Sequence, residues 1–365
     1  MKATAAVLEQ LNQPLVLSEV DIPDPGPTEV RVRLTATGVC GSDLHVLDGT
    51  IPFATPSVVG HEGAGIVEAI GAAVTSVAVG DKVGLIAPSC GHCDPCLNGH
   101  QFTCADSSLK WGRVRSDGTP AITRNGEGLA ARFLGQSTFA THTLVEERTV
   151  LKAPAEVPDE VLAPLGCGVV TGAGAVLRVL KPQPGESLVI LGAGPVGLSA
   201  LMAAVNTAAA QIIMVDVSEP RLELARELGA SAVVNGKQTE DLVATIKELT
   251  GGGANMVLET TAVPALLQQA TQMLPSRLGR LGIVGAPGPD AVFSWPTIPL
   301  VMSAAQINGV VMGDGNAAFV QGLMELYLAG RFPVDRLVQT YSFDDINKAL
   351  AAAASGQAIK PVITF

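Results

Sequence analysis

Ser187-Leu188-Val189-Ile190-Leu191-Gly192-Ala193-Gly194-Pro195-Val196-Gly197 is an apolar run that breaks into three glycines at Gly-x-Gly-x-x-Gly spacing, with a further apolar run behind it. An apolar strand, a tight turn and the start of a helix produce this pattern. Glycines allow the tight turn and a close backbone approach to a pyrophosphate at the helix N-terminus. Gly192, Gly194, Pro195, Val196 and Gly197 are therefore candidate contacts to a dinucleotide. The second strand ends on Asp216, suitably placed to accept hydrogen bonds from the adenosine ribose. A carboxylate there repels a 2′-phosphate, which favours NAD over NADP. Arg221, just beyond, is expected to pack along the adenine side.

Outward from this turn, strand and helix alternate from residue 187 to about 284. Strands are expected at 187–191, 211–215, 232–235, 256–259 and 280–284, with helices between them, for example at 220–228 and 240–249. Such alternation implies a parallel sheet covered on both faces. The first half reads differently. It is rich in Gly, Pro and short β-like runs, and over 29–36 the apolar Val30, Val32 and Leu34 alternate with Arg31 and Arg33. The tail offers two amphipathic helices, 316–329 and 344–354, and a closing strand at 361–365. The expectation is a two-domain α/β protein. Residues 171–309 form a doubly wound parallel sheet, residues 1–170 and 310–365 form a β-rich catalytic domain, and catalysis runs in the cleft between them.

Composition narrows the function. A chain of 365 residues favours about two domains. It is 47% hydrophobic and 16% charged, with 34 acidic against 23 basic residues and a net charge of −11, which argues against nucleic-acid binding. Residues 187–215 carry no charge and are long enough to span a bilayer. The glycines and Pro195 break that run, so no membrane span is expected. The N-terminus lacks the apolar region of a secretory signal. A cytoplasmic location follows, and there six cysteines are ligands rather than disulfides.

The cysteines fall into two sets. Cys40 and Cys167, with His61, offer three ligands and leave the fourth position of a tetrahedral zinc open, as a catalytic zinc requires. Cys90-x2-Cys93-x2-Cys96-x7-Cys104 offers four thiolates, which close the shell of a structural zinc. His92 and His100, inside that run, read as surface residues. A zinc with an open position acts as a Lewis acid on an alcohol oxygen, whose alkoxide releases hydride to a nicotinamide.

Gly60-His61-Glu62-Gly63-Ala64-Gly65-Ile66-Val67 resembles the hallmark of the zinc-containing medium-chain alcohol dehydrogenases, and the resemblance covers essentially the whole chain. It implies a GroES-like catalytic domain beside a Rossmann domain, two zincs per subunit, and a homodimer or homotetramer built on the edge strand at 305–311. Cys40, His61 and Cys167 match that family's catalytic ligands. Glu62 matches a carboxylate that approaches the metal when ligands exchange, and Asp43 one that orients the histidine. Ser42 and His45 match a proton relay to solvent. Lys360 matches a cation near the pyrophosphate. Thr171 matches a nicotinamide contact, with a helix N-cap as the alternative from propensity.

The same resemblance places Ile51, Ile86, Leu109 and Phe133, with Leu134, Ala286 and Val311, around the alcohol. All are apolar, which suits a primary alcohol with a hydrophobic tail and leaves a polyol's hydroxyls unpaired. Within the family, residues 90–100, 133–140 and 164–168 are similar to the aryl-alcohol dehydrogenases, which act on benzylic and often allylic alcohols. The chain departs from that subgroup across 111–127. A polyol or secondary-alcohol dehydrogenase of the same family is the alternative, and a zinc-free quinone reductase is a more distant one.

Overall fold

The computed structural model describes residues 1–111, 114–285, 288 and 290–365. Two compact units divide the chain, one of Met1–Cys167 with Asn316–Phe365 and one of Gly168–Gly315. In the first, strands run in the order β1 (Lys2–Val7), β2 (Val16–Asp21), β3 (Glu29–Gly38), β4 (Gly63–Ile70), β5 (Lys82–Leu85), β6 (Thr123–Arg124), β7 (Glu127–Gly128), β8 (His142–Glu146) and β9 (Val150–Lys152). β1, β2, β6 and β7 form an antiparallel sheet. β3 is the spine of the larger one, paired with β4 on one side and β8 on the other. Its alternation is visible in burial: Val30, Val32 and Leu34 are buried among Val67, Val83 and Leu85, while Arg33 is exposed. Each such aliphatic side chain contributes about 1.5–3 kcal/mol on burial.

The second unit carries β10 (Ser187–Leu191), β11 (Gln211–Asp216), β12 (Ala232–Asn235), β13 (Met256–Glu259), β14 (Arg280–Ile283) and β15 (Gln306–Gly309). They form one parallel sheet in the order β12-β11-β10-β13-β14-β15. Every residue of β10 is buried, as a central strand covered on both faces requires. The order reverses between β10 and β13, and in such sheets ligands bind beyond the carboxyl ends of the strands at that reversal. The fold is thus α/β, a Rossmann sheet together with a β-rich GroES-like unit. The apolar stretch 187–215 resolves into β10, the glycine turn, the helix Pro195–Val205 and β11. Among the described residues no single helix is long and apolar enough to cross a membrane.

The chain then returns to the first unit through β16 (Val338–Ser342) and β17 (Lys360–Thr364), giving the sheet order β16-β17-β3-β4-β5-β9. β17 lies antiparallel to β3.

Several boundaries shift for local reasons. Residues 168–170 and 310–315, expected in the catalytic domain, lie in the second unit. There the helix Gly168–Gly174 packs so closely on the turn Met312–Asp314 that a Cβ at Gly174 would overlap Gly313. The helix expected from 240 runs Leu242–Leu249, because the Asp241 carboxylate caps it by accepting from Ala244 N at 2.9 Å. Asn316 caps Ala317–Leu328 in the same way, accepting from Phe319 N.

Candidate functional site

Cys40 sits in extended backbone immediately before the short helix Gly41–Leu47. Asp43, in the first turn and fully buried, divides its carboxylate between two tasks. Oδ2 accepts from Cys40 N at 3.0 Å, and Oδ1 lies 2.8 Å from His61 Nδ1. With Nδ1–H donating to that carboxylate, the lone pair of His61 is on Nε2. Nε2 is 3.3 Å from Cys167 Sγ, and the Cys40 and Cys167 sulfurs are 3.8 Å apart. A tetrahedral zinc with arms of about 2.3 Å to sulfur has an S···S edge of about 3.8 Å. The donor set and its spacing therefore fit a zinc. One ligand atom each from Cys40, His61, Glu62 and Cys167 lies within 4.8 Å of the others.

Glu62 is fully buried and ion-paired with the equally buried Lys360, which also donates to Val39 O at 2.9 Å. A Cβ at Gly38 would overlap the Glu62 carboxylate, so glycine makes its room. Burial pushes the Glu62 carboxyl up to about 7 against the opposing pull of Lys360. The hydrogen bond between the two thiols holds Cys40 well below the ordinary thiol value and Cys167 well above it. Burial works against a charged His61, but the Asp43 carboxylate and then Cys40 carry its pKa well above the usual imidazole value. A divalent cation among these atoms draws both sulfurs to thiolate.

The glycines around these ligands serve packing. Side chains at Gly60 and Gly63 would collide with Thr138 and its neighbours, and one at Gly166 with Leu85 O. They permit close approach between protein segments.

Ser42 Oγ lies 4.0 Å from Cys40 Sγ. His45, three residues on and so on the same helix face, is exposed with Nδ1 3.6 Å from Asp48 Oδ2.

The second cluster brings the Cys90, Cys93, Cys96 and Cys104 sulfurs within 4.8 Å of one another. Cys90 and Cys96 are 4.0 Å apart, and Cys93 and Cys104 3.8 Å, again tetrahedral edges. Backbone N–H groups of Cys90, Cys93 and Ala105 donate to Cys104, Cys90 and Cys93 sulfurs. The bond from Ala105 is the main reason that Cys93 falls to about 6, whereas burial pushes Cys96 up to about 12. His92 and His100 are both exposed.

In the second unit, Gly192 has φ +101°, a left-handed conformation that suits glycine. A Cβ at Gly197 would overlap Gly192 O, whereas one at Gly194 would meet nothing within 4 Å. Gly197 thus seats the helix on the turn, and Gly194 leaves an open face at the N-terminus of Pro195–Val205, where an anion fits. A cavity of about 400 Å³ follows, lined by Gly192, Gly194, Asp216, Arg221, Thr260 and Thr261. Asp216 Oδ2 accepts from Ala193 N at 2.6 Å, and Oδ1 from Val217 N and Ser218 N, both at 2.8 Å. Three of about four lone-pair sites are used, which leaves room for one hydroxyl donor. Thr171 is buried inside the helix Gly168–Gly174, so the N-cap alternative for it does not hold.

Comparison with known proteins gives the family. The alcohol dehydrogenase GroES-like domain matches residues 26–155, and the zinc-binding dehydrogenase family matches 195–329. Geraniol dehydrogenase of Castellaniella defragrans is 41% identical over 100% of this chain and 98% of its own. The chain belongs to the zinc-dependent medium-chain alcohol dehydrogenases. Two solved structures agree with this alcohol dehydrogenase closely. An alcohol dehydrogenase zinc-binding domain protein from Burkholderia ambifaria is 43% identical with a TM-score of 0.97, covering 100% of this chain and 99% of that one. Benzyl alcohol dehydrogenase from Acinetobacter calcoaceticus is 41% identical with a TM-score of 0.95 and the same coverage.

The residues expected around the alcohol are only partly gathered in this alcohol dehydrogenase. Ile51, Phe133 and Leu134 pack in one cluster with Val46 and Phe53. The buried Phe133 ring stands edge-on to His61 at 5.3 Å, so this cluster adjoins the Cys40–His61–Cys167 group. Ile86 is buried, and its carbonyl accepts from Gln136 Nε2. Leu109 instead lines a separate cavity of about 320 Å³ beside the cysteine lobe, with Ser89, His92, Asp106 and Arg148. Val311 lies in the second unit and is 53% exposed, and Ala286 lies outside the described residues.

Two features escaped sequence reasoning. Lys360, expected near the pyrophosphate, has its charge against Glu62, so a phosphate contact would have to share or displace that pair. Trp111 packs on Phe133 with ring centroids 5.7 Å apart. A lone aromatic within the polar stretch 111–127 was the signal for it.

Proposed function

We propose that this alcohol dehydrogenase oxidises primary apolar alcohols, benzylic or allylic, reversibly to their aldehydes, with NAD and two zincs per subunit. The observation that carries this reading is the Cys40–His61–Cys167 donor set, held at tetrahedral spacing beside the Phe133 cluster. Cys90, Cys93, Cys96 and Cys104 hold the structural zinc. When bound, the catalytic zinc supplies Lewis acidity to the alcohol oxygen, and NAD accepts the hydride.

The protein's own residues do the rest. Asp43 fixes the His61 ring and its tautomer. Ser42 and the exposed His45, three residues on, would carry the alcohol proton towards water. Glu62, paired with Lys360, stands ready to replace a ligand. Gly192, Gly194, Pro195, Val196 and Gly197 cradle the pyrophosphate at the helix N-terminus, Asp216 holds the ribose, Arg221 flanks the adenine, and Thr171 contacts the nicotinamide. Ile51, Phe133 and Leu134 exclude water from the alcohol tail. The likeness to a geraniol and to a benzyl alcohol dehydrogenase supports an allylic or benzylic substrate. The enzyme works in a reducing cytoplasm as a homodimer or homotetramer. The exposed β15 edge and the exposed Ile298, Val301 and Met302 nearby in sequence support assembly.

NADH absorbance tests the reading. Purified protein given NAD turns over benzyl alcohol or geraniol at least tenfold faster than sorbitol or 2-propanol. Faster turnover of the polyol or secondary alcohol overturns the substrate class, and no turnover of any alcohol overturns the reaction.

A further inference from the structure

Trp111 ends the short helical turn Ser108–Trp111, and both of its flanks are anchored. On the N-terminal side, Asp106 accepts from Ser108 N at 3.1 Å and from Ser108 Oγ at 2.6 Å, which sets the turn directly behind Cys104. Lys110 Nζ donates to Phe102 O at 2.7 Å, inside the cysteine lobe. Its ammonium is partly buried, and burial holds its pKa below the usual lysine value. On the C-terminal side, Arg115 donates through Nε and Nη2 to Glu29, at 2.9 and 2.7 Å from Oε2. Glu29 is 2% exposed, so that end is fixed to the spine of the larger sheet.

Between these anchors the Trp111 indole rests on Phe133 at 5.7 Å, tilted by 55°. Phe133 in turn meets Phe53 at 5.6 Å and the His61 ring at 5.3 Å, both edge-on. Trp111 is nonetheless 44% exposed. A large ring held firmly on the aromatic cluster next to a zinc ligand, yet left half open, has a face available to an apolar ligand.

We infer that Trp111 is a specificity-determining wall of the alcohol site and that the cysteine lobe positions it through Lys110. This rests on the alcohol dehydrogenase reading above and adds a residue and a coupling to it. Aryl and allylic tails present a flat π-face to the indole, and short alkyl alcohols do not reach it. The lobe thereby gains a role in substrate choice as well as in stiffness.

Two readouts test this. The chain has two tryptophans, Trp111 and Trp295, so Trp295→Phe leaves Trp111 as the sole indole. Benzyl alcohol added without NAD should quench or shift its emission saturably. An emission that does not respond at concentrations saturating turnover overturns the inference. In turnover, Trp111→Ala should lower the ratio of kcat/KM for benzyl alcohol to that for ethanol about tenfold, and Trp111→Phe should restore most of it. Lys110→Met should shift the ratio the same way and move the Trp111 emission towards that of an exposed indole. Ratios within twofold of the parent for both Trp111→Ala and Lys110→Met overturn the inference while leaving the dehydrogenase reading intact. A responsive indole in a protein that turns over no alcohol keeps the binding wall and overturns the reaction.

Discussion

Asp43 shows how much one side chain carries. Its two oxygens fix the backbone that presents Cys40 and the ring that presents His61, so two members of the candidate metal cluster share one support. Asp43→Asn keeps the shape but removes the charge and offers an amide where an acceptor is needed. Zinc affinity should fall about 10–100-fold, read by chelator competition. Retention equal to the parent would show that His61 is oriented by packing alone. The clustering of Cys40, His61 and Cys167 was legible because thiolate and imidazole chemistry is written in residue type. Glu62 and Lys360 were legible only separately. Nothing local announces that the last strand delivers an ammonium to a carboxylate beside the second ligand.

At the scale of elements, the cysteine lobe depends on closing its shell. Cys96 is buried in the helical turn Asp94–Leu97, so Cys96→Ala should release one zinc per subunit and lower Tm, with kcat for ethanol less affected than stability. Unchanged thermal stability with one zinc lost would remove the structural role. The turn Glu147–Thr149 makes a different prediction. Glu147 Oε1 accepts from Thr75 N and Ser76 N, both at 2.7 Å. Burial opposes ionisation, yet those bonds hold the carboxyl below its ordinary 4.5. Its stabilisation is therefore present above pH about 4.5 and is lost as the pH falls through the lower folded value. Glu147→Gln should flatten the acid limb of Tm against pH, and an identical limb would show that other carboxylates govern it. The strands of the second unit were legible because a parallel sheet buried on both faces leaves uninterrupted apolar runs. The segment 111–127 was less so. Part of it forms β6 and β7, joined by Asn125 and Gly126, both at positive φ. Asn-Gly between two strands marks a hairpin turn, and that signal was available. The strands are too short for alternation to show.

For the whole molecule, β15 is the last strand of its sheet, hydrogen-bonded to β14. Ile307 is 40% exposed on it, and Ile298, Val301 and Met302 are more so. An apolar edge of this kind is satisfied by a second copy. If a second copy covers this edge, as proposed, Ile307→Lys should shift sedimentation towards the monomer, and an unchanged species would overturn that proposal. The division into two units was legible in the change of pattern near residue 171. Its limits, at 167/168 and 315/316, were set by glycine-mediated packing that periodicity does not encode.

The position of β17 between β16 and β3 bears on how a cell makes this protein. A ribosome delivers Cys40, His61 and Cys167, then all of Gly168–Gly315, before it delivers the strand that pairs with β3. Chains lengthen at about 5–20 residues per second, so for roughly 2–10 seconds the Rossmann unit is complete while the edge of β3 that β17 will cover stays open. The late strand also carries Lys360, so until it arrives the buried Glu62 carboxylate has no ammonium beside it, and closing that edge and pairing that charge are one event.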